Sequence, residues 1–287
     1  MYRTNRSLRI LALVVPALAI CSISPATLAW LADTLAPWVG TTLDGKSCKS
    51  GQVSFGPYDY LEREKNLAAL EVVEESHFST DVENLIGSET ESPTNNIHYT
   101  LQAWPNHHRA LNSALQYRLQ NLRNWPLGIV PPAECYLQRA IKFSPKDPRP
   151  YMMYGVLLQK VKQFDKALNA YRAANRLLPN DVITQYNMGM TLVALKKYKE
   201  AAQLAQKVYS AGFPLPALKN KLIAAGHWNA GAGETVANPA KQEFTPAQVE
   251  AIKKAMENLT PAQKDALEKA IQDEAARKEA APVAAAP

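Results

Sequence analysis

A period of about 34 residues in the middle of the chain constrains the fold more than any other feature. Residues 148–181 read PRPYMMYGVLLQKVKQFDKALNAYRAANRLLPND, and small, aromatic and proline residues return at matching positions one period later and one period earlier. A fixed period of this length is typical of arrays in which each repeat is a pair of helices that buries its apolar side against its neighbours. The central repeat holds Tyr151, Tyr154, Gly155, Leu158, Ala167, Tyr171, Ala174 and Pro179; the next holds Gly189, Leu192, Tyr198 and Ala201, and the preceding one holds Ala133, Ala140 and Pro145.

These positions resemble the tetratricopeptide repeat (TPR) family over about 110 residues. In that family the small residues, here Gly155 and Ala167, let neighbouring helices approach closely, and Pro179 ends the second helix of the repeat. The resemblance implies an all-α fold, a short TPR-type helical solenoid of about three repeats closed by a capping helix at LPALKNKLIAAG. The first repeat departs from the pattern, so we expect its first helix at residues 107–122 and an inserted loop after it, because RNWPLGIVPP cannot be helical. The basic solenoid would then span residues 105–228.

Residues 1–29 have the pattern of a secretory signal peptide. Three arginines precede the apolar run ILALVVPALAICSIS, and the small residues Thr27 and Ala29 stand where cleavage requires them. The alternative is an uncleaved membrane anchor, because the stretch 10–32 carries no charge and is long enough to cross a bilayer. A lipoprotein is disfavoured, because the bulky Ile20 precedes Cys21. Each alternative sends the rest of the chain across a membrane, so we expect a periplasmic protein, anchored to the inner membrane in the second case.

Cysteine usage agrees with that compartment. Removal of the signal leaves Cys48 and Cys135, an even number in an oxidising space, which predicts one disulfide. The bond would close a loop of roughly 90 residues and contribute about 4 kcal/mol in the chain-entropy model. Two free buried thiols are the alternative.

Residues 30–104 form a separate N-terminal module that is acidic and partly irregular. Helix is predicted in YLEREKNLAALEVVEESHF, with Leu61, Leu67, Leu70 and Val73 near one face, and in STDVENLIG. The turn GPYDY at residues 56–60 is similar to a GP-aromatic-DY segment near the mature N-terminus of bacterial secreted proteins that carry these repeats. This second resemblance implies no mechanism.

The C-terminal part of the chain contains a short duplication. After a linker at residues 229–243, TPAQVEAIKKAMENL and TPAQKDALEKAIQDE follow one another, each with Thr at the N-cap and Pro at the first helical position. The sequence therefore predicts a helical hairpin at residues 244–280 and a disordered tail at 281–287. Because such a hairpin is too small to be stable alone, we expect it to dock on a partner, on a second copy, or back on the repeats.

Charge is distributed unevenly along the chain. Residues 100–228 hold 18 Lys and Arg against five Asp and Glu, whereas residues 30–99 hold four against 12, and residues 229–287 hold seven against nine. Either the acidic module covers the basic solenoid within one molecule, or the basic surface binds an acidic partner such as a protein tail, an anionic polysaccharide or lipid headgroups. Nucleic acid is not expected, because no recognition motif of that class is present.

The TPR resemblance also implies a binding site. In that family the first helix of each repeat lines a concave groove that takes extended peptides. The corresponding residues here are Arg149, Met152, Val156, Gln159, Lys160, Tyr186, Met190, Val193 and Ala194. This lining suits a peptide with apolar side chains and a carboxylate, although Met152 and Met190 could equally be packing residues.

Catalytic motifs are absent from the sequence. There is no G-x-S-x-G, Walker, H-E-x-x-H or Cys-x2-Cys pattern, so we expect no enzyme, no catalytic residue, no cofactor and no metal. The competing hypothesis is a metal-binding or hydrolytic site built from a cluster of histidines in the stretch 77–108. The cluster comprises His77, His98, His107 and His108.

The paired histidines in PNHHRALNSAL test that hypothesis. We interpret Asn106 as the N-cap and His107 as the first residue of a helix. Neighbouring helical residues lie about 100 degrees apart, so His107 and His108 cannot both present their rings to one ion. We therefore expect neutral, half-buried rings that pack the N-terminal module onto the solenoid; a metal site completed by His77 or His98 is the alternative.

Three functions follow from the sequence. The first is a periplasmic TPR scaffold or adaptor that binds protein partners in envelope assembly, secretion or pilus-type machinery, through acidic or C-terminal carboxylate segments. The second is a structural subunit of an oligomer or filament that self-associates through the N-terminal arm and the C-terminal hairpin. The third is the histidine-based metal or hydrolytic site.

Overall fold

The computed structural model describes residues 35–51, 55–86, 92–122 and 130–228. The predicted signal peptide or anchor, most of the inserted loop, the linker, the hairpin and the tail lie outside these residues. Within them the fold is all-α, as expected, with helices and an isolated β-bridge between Thr41 and Ser47. None of the helices in these four ranges combines the length and the apolar character needed to cross a bilayer.

The helices follow one another closely along the chain. In order they are a 3₁₀ helix Tyr60–Asn66, α1 Leu67–His77, α2 Thr80–Glu83, α3 Pro93–Ala103, α4 His108–Gln120, α5 Ala133–Phe143, α6 Pro148–Lys160, α7 Phe164–Leu177, α8 Val182–Ala194, α9 Tyr198–Ser210 and α10 Ala217–Ala224.

Helices α4 to α10 form the solenoid. They pack as the pairs α4 with α5, α6 with α7, and α8 with α9, and α10 closes the array against the last pair. A Cβ atom added at Gly155 would lie 2.6 Å from the ring of Tyr171, and one at Gly189 would lie 2.6 Å from Leu218 Cδ2. Glycine therefore allows the close approach of α6 to α7 and of α8 to α10.

The other repeat residues divide between the core and the helix ends. Tyr171 is fully buried, and its hydroxyl donates to Gln159 Oε1 at 2.8 Å. The buried set, each at most 2% exposed, is Ala133, Ala140, Leu158, Ala167, Tyr171, Ala174, Leu192 and Ala201. Tyr151, Tyr154 and Tyr198 are half-buried, whereas Pro145 and Pro179 are exposed just beyond the ends of α5 and α7.

The N-terminal module contains a helix that the sequence did not predict. Helix α3 begins with Ser92 as N-cap, whose side chain accepts from Thr94 N, and with Pro93 in its first turn. Its buried residues include Ile97 and Leu101, separated by polar positions. This helix packs against α1, α2 and α4, and so joins the module to the solenoid.

The predicted apolar face of the stretch YLEREKNLAALEVVEESHF is wrong in its first half. Leu70 and Val73 are buried, but Leu61 and Leu67 are 44% and 48% exposed. Residues 60–66 wind as a 3₁₀ helix, which is tighter than an α-helix, so Leu61 does not keep α-helical spacing to the buried pair. Leu67 begins α1, but six residues at about 100 degrees each place it about 120 degrees around the helix from Val73.

The irregular segment 35–51 is fastened to helix α5. Cys48 and Cys135 form the predicted disulfide, with 5.4 Å between their Cα atoms. The guanidinium of Arg139 donates to Ala36 O at 2.8 Å and to Leu101 O at 2.6 Å, and it lies 4.8 Å from the ring centre of Trp38. Arg139, a buried residue of the solenoid, therefore holds both the segment 35–51, which we call the arm, and the end of α3.

Candidate functional site

A groove of about 420 Å³ opens where helices α6, α8 and α10 lie side by side. Its lining is Val156, Gln159 and Lys160 of α6, Lys162 and Phe164 after it, Met190, Val193 and Ala194 of α8, and Lys221 of α10. The floor is made of half-buried apolar side chains, and lysines stand around the rim. We call this site the groove.

The three rim lysines have no acidic partner among the described residues. Lys160, Lys162 and Lys221 are exposed, and none of them lies within 4.0 Å of a carboxylate oxygen in that part of the chain. An apolar floor with unpaired cations at its edge favours a ligand that carries both apolar side chains and negative charge.

The backbone at Lys162 is unusual for a lysine. Its φ is +61°, and Lys196, one period later, has φ +58°, whereas the matching helix ends after α9 and α10 carry Gly212 and Gly226 at φ +79° and +71°. At all four ends the residue with positive φ donates to the carbonyl three residues back, and the next residue donates to the carbonyl five back. This cap normally selects glycine, so both lysines, of which Lys162 lines the groove, have a locally strained backbone.

The structure brings most, but not all, of the predicted groove residues together. Val156, Gln159, Lys160 and Met190 line the groove, as do Val193 and Ala194. The remaining three, Arg149, Met152 and Tyr186, do not line it.

The three residues outside the groove have other positions. Tyr186 is 8% exposed, with its ring 4.7 Å from that of Phe213, and Met152 packs between the cores of neighbouring repeats. Arg149 lies in the first turn of α6, about 16 Å along the helix from Lys160 at about 1.5 Å per residue. The groove therefore lies at the C-terminal ends of these helices, which the family pattern alone did not specify.

Sequence reasoning missed Lys162, Phe164 and Lys221. Lys162 carried a usable signal, because Gln159, Lys160, Val161 and Lys162 stand at a helix end where a glycine is expected. Lys221 had no such signal, since it reaches the groove only because α10 packs beside α8.

The paired histidines lie at a joint between the module and the solenoid. The N-cap of α4 is His107, not Asn106, so the helix begins one residue later than predicted. His107 is fully buried; its Nδ1 accepts from Ala110 N at 3.1 Å, which leaves the proton on Nε2 to be donated to Glu74 Oε1 at 2.8 Å. Burial lowers the pKa of His107, and the hydrogen bond from His107 lowers the pKa of Glu74, so a neutral ring binds an ionised carboxylate.

Asn106 has a different role at the same joint. Its side-chain amide donates to Asp59 Oδ1 at 2.7 Å and to Asp147 Oδ2 at 3.0 Å, and its oxygen accepts from Tyr60 N at 2.9 Å. Asp147 Oδ2 also lies 2.8 Å from His108 Nε2. One amide thus connects the module to the start of α4 and to the N-cap of α6.

Among the described residues, Glu74 and Glu83 of the module pair with the first repeat rather than with the groove. Arg109 of α4 donates to both carboxylate oxygens of Glu83, and its Nη1 lies 3.3 Å from Glu74 Oε1. In the described ranges, the ion pairs from the module to the solenoid involve Arg109, and the neutral ring of His107 adds a hydrogen bond to Glu74. Among the same residues, no ion pair joins the module to Lys160, Lys162 or Lys221.

The other two histidines have separate partners. His77 Nδ1 lies 3.1 Å from Asn96 Oδ1, and its ring stacks on Tyr99. His98 Nδ1 lies 2.6 Å from the Tyr136 hydroxyl and its Nε2 lies 3.2 Å from Ser50 Oγ. Across residues 35–51, 55–86, 92–122 and 130–228, no three His, Cys, Asp or Glu side chains are grouped so that they could hold a metal ion.

The GPYDY turn is absorbed by the same joint. Tyr58 N donates to Ala103 O at 2.9 Å, and a Cβ atom at Gly56 would lie 2.4 Å from that oxygen. The rings of Tyr58 and Tyr60 pack against Trp104, which is fully buried. These residues are therefore used within one molecule.

The environment of the half-buried His98 predicts a loss of stability in acid. Burial, with a further effect from Arg139, lowers the pKa of His98 to about 4 from an ordinary 6.5. A depressed folded-state pKa gives stability that is complete above pH 6.5 and is lost as the pH falls towards 4, by about 3 kcal/mol for this group. Urea unfolding between pH 7 and 4 measures the effect. In His98→Asn the free energy of unfolding should fall less between pH 7 and pH 4 than in the unmodified protein. An equal fall in both proteins would contradict the assignment of this effect to His98.

Comparisons with known proteins leave the family open. No family model matches the chain, and no curated protein matches it. Among solved structures it is similar to MamA from residue 41 onward of Desulfovibrio magneticus RS-1, with 21% identity, TM-score 0.35, and coverage of 52% of this chain and 87% of that one. An RS-1 MamA double mutant gives 20% identity, TM-score 0.35 and coverage of 57% and 90%, and MamA of AMB-1 gives 16%, 0.35, 55% and 90%. At these values the functional interpretation has to come from the chain's own geometry.

Proposed function

We propose that this protein is an interaction scaffold of the TPR type that binds an acidic segment of a partner protein in the groove. The observation that carries the proposal is the set of rim lysines, Lys160, Lys162 and Lys221, placed without acidic partners in the described ranges around an apolar floor. Apolar side chains of the ligand would enter between α6 and α8, and its carboxylates would lie beside the lysine ammonium groups.

The backbone at the ends of α6 and α8 bears on the proposal that the groove binds an acidic segment. Two consecutive repeats carry lysine where the backbone favours glycine, and Lys162, the one at the groove, costs about 1 kcal/mol of strain there. Glycine would form the same cap without this strain, so the fold does not require the Lys162 side chain. Its charge is therefore available to a ligand in the groove.

The disulfide supports an oxidising compartment. Cys48 is 5% exposed and Cys135 is fully buried, as expected for a structural bond in an exported protein. We propose that the scaffold works in the periplasm, in envelope assembly or in secretion or pilus-type machinery. The GPYDY turn is already packed in the joint of its own chain. Partner binding through the groove is therefore favoured over self-assembly through that turn.

A matched pair of variants tests the groove. Lys162→Gly and Lys196→Gly both relieve a positive φ in the same hydrogen-bonded cap, so each should raise the free energy of unfolding by about 1 kcal/mol. Lys196 does not line the groove. Only Lys162→Gly should weaken binding of a fluorescein-labelled acidic, leucine-containing peptide, by about threefold at low salt.

The measurements are fluorescence anisotropy for binding and urea unfolding for stability. A protein that is stabilised yet binds less well cannot be explained by damage to the fold. Equal affinities for the two variants would rule out the groove as an acidic-peptide site.

A further inference from the structure

The described chain ends just after α10, the helix that forms one wall of the groove. After α10, His227 N donates to Leu222 O at 2.8 Å, which turns the chain back along the helix. Trp228 then packs on Tyr209, and Lys219 Nζ lies 5.2 Å from the centre of its ring. Lys221, which lines the groove, is about 200 degrees around α10 from Lys219, so the chain after Trp228 has to pass around α10 to reach the groove.

The rest of the chain, 229–287, is long enough to reach back. The stretch from 229 to 244 has a root-mean-square span of about 20 Å if it behaves as a flexible linker, and the first copy, residues 245–259, adds up to about 22 Å before residue 260 if it is helical. A helix with the length of one copy of the duplication is about 22 Å long. Three neighbouring helices spaced about 8–10 Å apart extend over roughly 20 Å, so a helix of that length matches the distance across α6, α8 and α10.

The two copies of the C-terminal duplication differ in charge. Residues 245–259 carry two acidic and two basic side chains, whereas residues 260–274 carry four acidic and two basic ones. The clearest change is Glu268, which stands where the first copy has Lys253. In a helix, Leu267 and Ile271 of the second copy share a face that Glu268 and Glu274 flank.

We propose that residues 260–274 occupy the groove of their own chain, with Leu267 and Ile271 on the apolar floor and Glu268 and Glu274 beside the lysines. The inference deepens the proposed function, because it names the resident occupant of the same site that a partner has to displace. A tethered segment at an effective concentration of about 1 mM competes with any free ligand, so the scaffold binds strongly only to partners that outcompete it.

Competition with the acidic peptide gives the first test. In the full chain, Glu268→Lys with Glu274→Lys should raise affinity for the labelled peptide about tenfold. This factor is the ratio of an effective concentration of about 1 mM to an intrinsic dissociation constant of about 0.1 mM for the segment. A chain that ends at Gln242 should show the same gain. The control variant, Glu250→Lys with Glu257→Lys in the first copy, should bind like the unmodified chain. Unchanged affinity on both truncation and charge reversal would overturn the inference while the groove still binds the peptide.

Carbodiimide cross-linking of the full chain gives a second, independent readout. Amide bonds between Lys160, Lys162 or Lys221 and acidic residues of 260–274 are expected, and a mixture of ¹⁴N- and ¹⁵N-labelled protein assigns them to one chain. Cross-linked peptides of mixed label would identify a second copy as the occupant and overturn the proposal. If the peptide fails to bind any variant but the intramolecular bonds form, the proposed function fails and this inference stands.

Discussion

Removal of the disulfide is expected to lower the free energy of unfolding by about 4 kcal/mol. The bond joins residues 87 apart, and the chain-entropy model assigns a contribution of this size to a loop of that length. The arm 35–51 is also held by packing of Ala36, Trp38 and Leu43 on the core and by polar contacts with α5, so the bond acts mainly by restricting the unfolded chain. Gln138, for example, donates to Thr41 O at 2.8 Å and accepts from Thr41 N at 3.2 Å.

Cys48→Ala, Cys135→Ala and the double variant should lose nearly the same stability, because each of them breaks the same bond. Urea unfolding of these variants, and of the unmodified protein with and without reductant, provides the measurement. Equal stability of the oxidised and reduced forms would show that the bond contributes nothing to the fold.

Arg118→Met is expected to cost about 3–5 kcal/mol, because it would leave a carboxylate buried without its cation. Arg118 Nε lies 3.0 Å from Glu134 Oε2, and its Nη1 also donates to Asn121 O and Leu122 O at the end of α4. Glu134 is fully buried, and its Oε1 accepts from Leu43 N of the arm at 3.0 Å. The same pair therefore closes the first repeat and positions the arm.

A double-mutant cycle separates the charge effect from lost packing. Glu134→Leu with Arg118→Met removes both charges, so the double variant should be more stable than the sum of the single losses predicts, by up to about 3 kcal/mol. Strict additivity in urea unfolding would mean that the two side chains do not interact across this interface.

The repeat was predictable from single residues because its physics is local. Gly155 and Ala167 stand where helices must touch, Asp147 and Asp181 cap their helices one period apart, and the structure places each of these side chains at such a contact or cap. A small residue at a fixed interval leaves few other folds that bury the same faces.

The joint was only partly predictable. The prediction that His107 packs the module onto the solenoid agrees with its contacts to Glu74, Tyr60 and Phe78. The choice of Asn106 as N-cap followed ordinary preferences, but its amide instead satisfies two carboxylates from distant segments, and the imidazole takes the cap. Which side chain takes the N-cap depends here on tertiary contacts, and N-cap preferences read from local sequence do not include those contacts.

Helix α3 and the position of the groove were missed for a related reason. The residues of α3 include few large apolar side chains, chiefly Ile97 and Leu101, and the helix is buried against α1 and α4. The groove depends on which ends of α6, α8 and α10 come together, so the family pattern identified the helices but not the end at which the lysines gather.

The module docked on the first repeat gives the solenoid a polarity. Helical arrays of this kind contact only their neighbours, so an uncovered end is the first place to fray. The disulfide and the joint close the end that bears α4 and α5, whereas at the other end Ile223 of α10 is 54% exposed. For the described residues we therefore expect opening to proceed from α10 inward once residues 260–274 leave the groove, so that the groove, which uses that helix as one wall, is the first functional surface to be lost on unfolding and the last to form.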